Sequence, residues 1–156
     1  MKTVTYASLD SDKKQDALNK LAFCDWDAGL YLRDCIINDD ICRCFGSFCD
    51  VLLLYDGEQI ASFCTYAEID EIDDDTKKPW IGFVYTFPQF RGRRCAGRLI
   101  EFAEEKAIAD GFNKIYISSE EKGLYEKYGY RFLENARSVH GYDTQIFVKE
   151  LKGDKL

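Results

Sequence analysis

The sequence predicts an α/β (α+β mixed) fold. A mixed, mostly antiparallel central sheet has helices on both faces and one parallel strand–helix–strand unit. Three observations carry this. The apolar run Val51–Tyr55 is followed by Asp56-Gly57 and a second β-rich run, which together read as a hairpin. An aromatic and β-branched strand at 80–86 leads through a glycine- and arginine-rich loop into an amphipathic helix at 96–110 and a strand at 114–118. Such a unit should be a right-handed parallel crossover. Two more β patterns, 131–137 and 142–151, close the chain. Strands that are apolar on both faces need helices above and below them.

The remaining elements follow in order. Residues 1–6 alternate enough for an edge strand. Ser11 is read as the N-cap of a helix running to about Phe23, with Ala17, Leu18, Leu21 and Ala22 on one face. A second helical pattern spans 27–37. Residues 38–50 fit no clear period. The strand returning from the Asp56-Gly57 turn is expected over 60–69, followed by an acidic polar loop, 70–78, read as solvated. On the 96–110 helix, Leu99, Phe102, Ala103 and Ala107 form the buried stripe while Glu101, Glu104 and Glu105 face water, and Gly111 lies just past its end. Residues 123–128 read as a short helix.

Composition narrows the class. The chain has 156 residues, 46% hydrophobic, 15% aromatic and 31% charged, with net charge −7. It is expected to form one domain over 1–156. No apolar run approaches the roughly 20 residues of a spanning helix, and the start lacks a secretory signal, so a cytoplasmic protein with no membrane partner is expected. The acidic balance disfavours a nucleic-acid partner, which needs a broad basic face. Seven cysteines without an export signal read as reduced thiols. Cys35, Cys42, Cys44 and Cys49 cluster, but the Cys42-Arg43-Cys44 spacing is short for a zinc knuckle and no histidine is near. They read as small apolar side chains, and no metal is expected.

The chemistry concentrates at residues 87–100, where Arg91, Arg93, Arg94 and Arg98 surround Gly92, Cys95, Ala96 and Gly97 at the start of a helix. Free N–H groups already make that end positive, so added cations are destabilising unless an anion binds. Glycines allow close backbone approach, and the combination suits a phosphate.

Pro88-x-x-Arg91-Gly92-x-x-x-Ala96-Gly97-x-Leu99 after a strand, followed downstream by Gly123-Leu124-Tyr125-Glu126-Lys127-Tyr128-Gly129-Tyr130, resembles the GNAT superfamily of acetyl-coenzyme A-dependent N-acetyltransferases. The family's loop signature is Gln or Arg, two residues, Gly, one residue, then Gly or Ala. Arg91 and Ala96 match it; Arg94 stands where the family has glycine, which could alter the backbone path. The resemblance implies a GNAT-like fold and acetyl-coenzyme A as co-substrate. It also implies direct transfer of an acetyl group to a primary amine of a small-molecule or peptide acceptor. Residues 92–97 would hold the pyrophosphate, and Val84 and Thr86 would pair with the pantetheine arm. Homodimer formation stays open. The other reading is a non-catalytic module that binds coenzyme A or a partner.

By the same resemblance Tyr125 occupies the general-acid position, with Tyr128 its nearest competitor. A phenol with a pKa near ~10 stays protonated at neutral pH and can donate to a departing thiolate. The family's asparagine earlier in this helix has no clear match, and Ser118 or Ser119 stands in. For the general base, Glu68 is the candidate, with Glu120 and Glu121 as others. His140, the single histidine, reads as a loop residue.

Overall fold

The computed structural model describes residues 1–152, with only the backbone of Cys42. The elements are β1 (Lys2–Thr5), α1 (Ser11–Leu21), α2 (Asp27–Ile37), α3 (Ile41–Phe45), β2 (Cys49–Asp56), β3 (Gln59–Ala67), β4 (Trp80–Thr86), α4 (Cys95–Ala109), β5 (Lys114–Ser119), β6 (Arg131–Arg137) and β7 (Asp143–Glu150). Short 3-10 turns lie at Tyr6–Ser8, Pro88–Phe90 and Tyr125–Tyr128. The seven strands form one sheet in the order β1-β2-β3-β4-β5-β7-β6. Every neighbouring pair is antiparallel except β4–β5, which is parallel.

Side-chain alternation along β3 shows why both faces are covered. Phe63 faces α2, where its ring lies 3.1 Å from the Cβ position of Gly29. Tyr66, of opposite parity, faces the end of α4, and its hydroxyl donates to Asp110 at 2.8 Å. Leu99, Ile100, Ala103 and Ala107 bury one side of α4 on that face.

Several local expectations change. Asp10, not Ser11, caps α1, accepting from the Lys13 N–H at 2.8 Å, and Ala22 is exposed. The chain over 38–50 contains α3, a single short turn that gives little period to read. Glu104 is buried rather than water-facing: Tyr130 donates to one of its oxygens at 2.7 Å and Lys149 to the other at 3.0 Å. A carboxylate with both oxygens satisfied can sit inside. The 70–78 loop is solvated at Asp73, Asp75, Thr76 and Lys78 but packed at other points. Ile72 is buried, Lys77 bridges Asp74 at 2.5 Å and Glu134 at 3.3 Å, and Trp80 donates its indole N–H to the Lys77 carbonyl at 2.8 Å. The Cys35 and Cys44 sulfurs lie 3.9 Å apart with the Tyr31 hydroxyl 3.5 Å from Cys44; the Cys42 side chain lies outside the described residues. Among the described residues no helix is long and apolar enough to cross a membrane.

Candidate active site

The site begins with a break in the sheet. β4 and β5 pair only at Trp80–Tyr116 and Ile81–Ile117, then part. Beyond that point β4 stays paired to β3, while β5 stays paired to β7 through Ser119–Gln145. One edge of β4 from Gly82 onward therefore opens into a wedge. A register shift between Phe63 and Thr65 and a left-handed Phe83 (φ 51°) place a bulge here. The bulge breaks strand alternation, so that Gly82, Phe83 and Val84 in succession line one cavity of about 730 Å³.

Ile117, Ser118 and Ser119 form the opposite wall of this cavity, and Tyr125 lies on it as well. The Tyr125 ring is 6.5 Å from Tyr130 and 6.2 Å from Phe147 by centroids, and the residue is buried. Its hydroxyl has no hydrogen-bond partner among the described residues. Burial, with the nearby Glu121 charge second, raises its pKa, so the phenol keeps its proton. Ser118 shares a hydrogen bond of 3.1 Å with Thr144.

Asp70, which sequence reasoning passed over, completes this end. Its Oδ1 fills the space that a Cβ on residue 82 would need, and the Thr65 hydroxyl lies 3.1 Å from the same point. The Thr65 Oγ is fully buried and has no hydrogen-bond partner among the described residues. Burial first, and the neighbouring Glu71 charge second, push the Asp70 carboxyl up to about 7, against the lesser effect of the Glu71 backbone N–H.

Glu68, by contrast, does not line the cavity. It accepts from the Ser47 N–H at 2.9 Å, packs under Gly46 and lies 3.8 Å from Lys78. The Ser47 bond, foremost, lowers its pKa, which suits a structural carboxylate better than a base. Glu121 and His140 do line the cavity; Glu120 does not. His140 sits on the turn between β6 and β7, its ring stacked 6.4 Å from Tyr142. That turn is tied to the 70–78 loop: the Val139 N–H donates to the Glu71 carbonyl at 2.8 Å, and the Tyr142 hydroxyl donates to the Glu71 carboxylate.

A second cavity, of about 270 Å³, lies at the start of α4 and is lined by Thr86, Arg91, Gly92, Arg94, Ala96 and Tyr128, among others. Val84 lines the large cavity and Thr86 the small one, two residues apart on one strand, so the β4 edge joins them. Arg94 keeps the backbone path expected of a glycine: its φ of 59° and ψ of 31° are left-handed. An L-residue there carries strain of about 1–2 kcal/mol.

The other loop residues divide by role. Arg91 lines the small cavity, but its Nε donates to the Thr86 carbonyl at 3.0 Å and its guanidinium lies over the Tyr85 ring at 5.6 Å. Cys95 also lines this cavity and is buried, its thiol directed at the Phe90 carbonyl, 3.5 Å away. Gly97 admits Tyr128: a Cβ there would stand 2.8 Å from the Tyr128 ring. Arg93 lies over Phe90, and neither it nor Arg98 lines the cavity.

A wedge between parallel strands, a helix start with exposed N–H groups beside it and a tyrosine at the far wall agree with sequence comparison. The acetyltransferase (GNAT) family model matches residues 11–130, and the chain belongs to that family. Solved structures agree in fold. An aminoglycoside 6'-N-acetyltransferase from Enterococcus faecium superposes with a TM-score of 0.70 at 12% identity over 100% of both chains. An aminoglycoside 6'-N-acetyltransferase complexed with coenzyme A gives 0.67 at 12% identity, also over 100% of both. An acetyltransferase from Streptococcus agalactiae 2603 gives 0.64 at 19% identity over 96% of this chain and 98% of the other. A comparison with curated proteins gave no match.

Proposed function

We propose that this protein transfers an acetyl group from acetyl-coenzyme A to a primary amine by direct transfer. The observation that carries the reading is the wedge between β4 and β5, which joins the small cavity at α4 to the large cavity beside Tyr125 and Asp70. The small cavity suits a pyrophosphate. The first-turn N–H groups of α4 and the Arg94 guanidinium supply donors and positive charge. The free edge of β4 from Gly82 to Thr86 suits an extended arm carrying amide groups, by the logic of an added strand. Several of the solved relatives in this fold hold coenzyme A or acetyl-coenzyme A.

In this reading Asp70 takes a proton from the substrate ammonium, which frees the nitrogen lone pair for attack on the thioester carbonyl. Attack gives a tetrahedral adduct with a cationic nitrogen. As it collapses and the carbon–sulfur bond breaks, Tyr125 gives its hydroxyl proton to the departing sulfur and the second nitrogen proton restores the phenol. The products are an amide and a neutral thiol, with Asp70 holding the first proton. A carboxyl near 7 is close to the best value for a base at neutral pH, and a phenol held protonated is a ready donor.

Thiol release from acetyl-coenzyme A with a panel of amines tests the transfer. Calorimetry with coenzyme A and pantetheine tests the loop, and coenzyme A should bind far more tightly. Turnover with no amine, alongside tight coenzyme A binding, would support the non-catalytic module instead. Equal affinity for the two ligands would remove the phosphate site.

A further inference from the structure

Two thiols meet at the wall of the large cavity. Tyr31 and Cys35 lie one turn apart on the same face of α2, and Cys44 of α3 packs against both. The Cys44 sulfur is 3.9 Å from the Cys35 sulfur and 3.5 Å from the Tyr31 hydroxyl. Two backbone bonds keep the connecting segment compact. The Asp40 N–H donates to the Cys35 carbonyl at 2.9 Å, and the Cys44 N–H donates to the Asp40 carbonyl at 3.1 Å. Cys24 and Cys95 differ: their thiols are directed at the backbone carbonyls of Trp26 and Phe90. Neither Cys35 nor Cys44 takes part in the proposed transfer.

Burial separates the two thiols. Cys44 is half-buried and lines the cavity with Tyr31, so a small solute reaches it. The Tyr31 hydroxyl keeps its proton, chiefly through its bond with Cys44, and can donate to a Cys44 thiolate, the form that reacts. Cys35 is buried, does not line the cavity, and has its pKa raised, foremost by that burial. An accessible thiol backed by a second one suits an oxidised cysteine and the partner that resolves it. A disulfide needs about 2.05 Å between sulfurs, so the pair must close by roughly 1.9 Å. Side-chain rotation and a small shift of the five-residue α3 can supply that.

We propose that Cys44 and Cys35 form an oxidation site on the large cavity, with a hydroperoxide as the oxidant. The Cys44 sulfur attacks one oxygen of hydrogen peroxide, the O–O bond breaks, and water leaves with the thiol proton. Cys44 is then a sulfenic acid. The Cys35 sulfur attacks the sulfenic sulfur, the S–O bond breaks, and a second water leaves with the Cys35 proton. Two thiols are oxidised to one disulfide, and the peroxide is reduced to two waters. Closure draws Cys44 toward α2. Phe45, next in the chain, stands edge-on to Phe83 at 5.5 Å, so the change reaches the bulge at the wedge. Among the described residues none of α2 or α3 lines the small cavity.

The test treats reduced protein with hydrogen peroxide and follows it by intact-mass and peptide mass spectrometry. The mass should fall by about 2 Da, with a Cys35–Cys44 link that dithiothreitol reverses. Cys35→Ser should stop at a Cys44 sulfenic acid, about 16 Da heavier and trapped by dimedone. Cys44→Ser should form no such link, and Cys42→Ser should still form it. The wild-type peptide map decides even where a variant does not fold. A protein unchanged by peroxide, or a link between other cysteines, would overturn the proposal. So would a Cys44 sulfinic acid, about 32 Da heavier, beside an intact Cys35 thiol. The linked protein should bind coenzyme A as before. Its KM for an accepted amine should change by about fivefold or more and recover on reduction, a typical coupling between sites. An unchanged KM would overturn the effect on the cavity. The amine readout rests on the acetyl-transfer reading and the mass readout does not. A reversible link in a protein that turns over no amine would therefore sink the transfer and leave the oxidation site.

Discussion

The carboxylate of Asp70 occupies the volume that a side chain at Gly82 would take. The glycine is therefore required by the site rather than by the backbone, since its φ lies outside the left-handed region. Gly82→Ala should push the Asp70 carboxylate away from the wedge while β4 keeps its pairing with β3. Turnover should fall by about 10²-fold, the usual cost of a misplacement near 1 Å. Thiol release together with circular dichroism checks this: an unchanged rate in a folded variant would show that Asp70 need not sit there.

Asp70 also gives the site a pH signature. In the free enzyme its carboxyl titrates near 7, so kcat/KM should climb as pH rises through about 7. Ionisation of the amine itself adds a later limb. Asp70→Asn should erase the first limb and lower the rate by about 10²–10⁴. His140 lines the same cavity, so His140→Gln is the control and must leave the limb in place.

Stability gives an independent readout of the same carboxyl. A folded-state pKa above the unfolded value means the native state holds the extra proton, so Asp70's contribution declines as pH rises from about 4 to about 7. The Tm of Asp70→Asn relative to wild type should therefore be higher at pH 8 than at pH 5.

Arg94 tests the loop. Its left-handed backbone is what the sequence resemblance assigns to a glycine, so Arg94→Gly relieves strain and should raise Tm slightly. The same change removes a guanidinium from the small cavity, and coenzyme A affinity should drop by about three- to tenfold, the worth of one exposed charge-assisted contact. Arg94→Ala should lose affinity without the gain in Tm. Calorimetry and thermal melts separate the two effects, and full affinity in both variants would make Arg94 a bystander.

The fold was legible in the sequence because its signals are local. Asp56-Gly57 marks the hairpin, Gly111 ends α4 with φ 91°, and the strand–loop–helix–strand unit at 80–118 sets the one parallel pair. Asp70, the base proposed above, was not legible, since reading β3 through Ile69 put Glu68 at the cleft. The strand stops at Ala67, and the next residues turn to deliver Asp70. Glu104 misled for a different reason: its partners Tyr130 and Lys149 are 26 and 45 residues away, and helical periodicity sees only its own helix. The Phe83 bulge leaves no mark either, because an aromatic residue in a left-handed conformation follows from tertiary context rather than from propensity.

Tyr125 carries the claim of acid catalysis, and its neighbour Tyr128 makes the test selective. The two share one 3-10 turn but serve different cavities: Tyr125 lines the large one, and Tyr128 lines the small one with its ring against Gly97. Tyr125→Phe keeps the ring packed against Tyr130 and Phe147 and removes only the hydroxyl. Fold and coenzyme A binding should survive, and kcat should fall toward the low end of about 10²–10⁴, because a thiolate leaves fairly well unaided. Tyr128→Phe should keep kcat and show its effect, at most, in the KM for acetyl-coenzyme A. The split between kcat and KM is the readout that a merely structural tyrosine would not give. A slow Tyr128→Phe beside a wild-type Tyr125→Phe would reverse the assignment within this turn. Two variants at the wild-type rate would mean that the sulfur departs without a tyrosine acid.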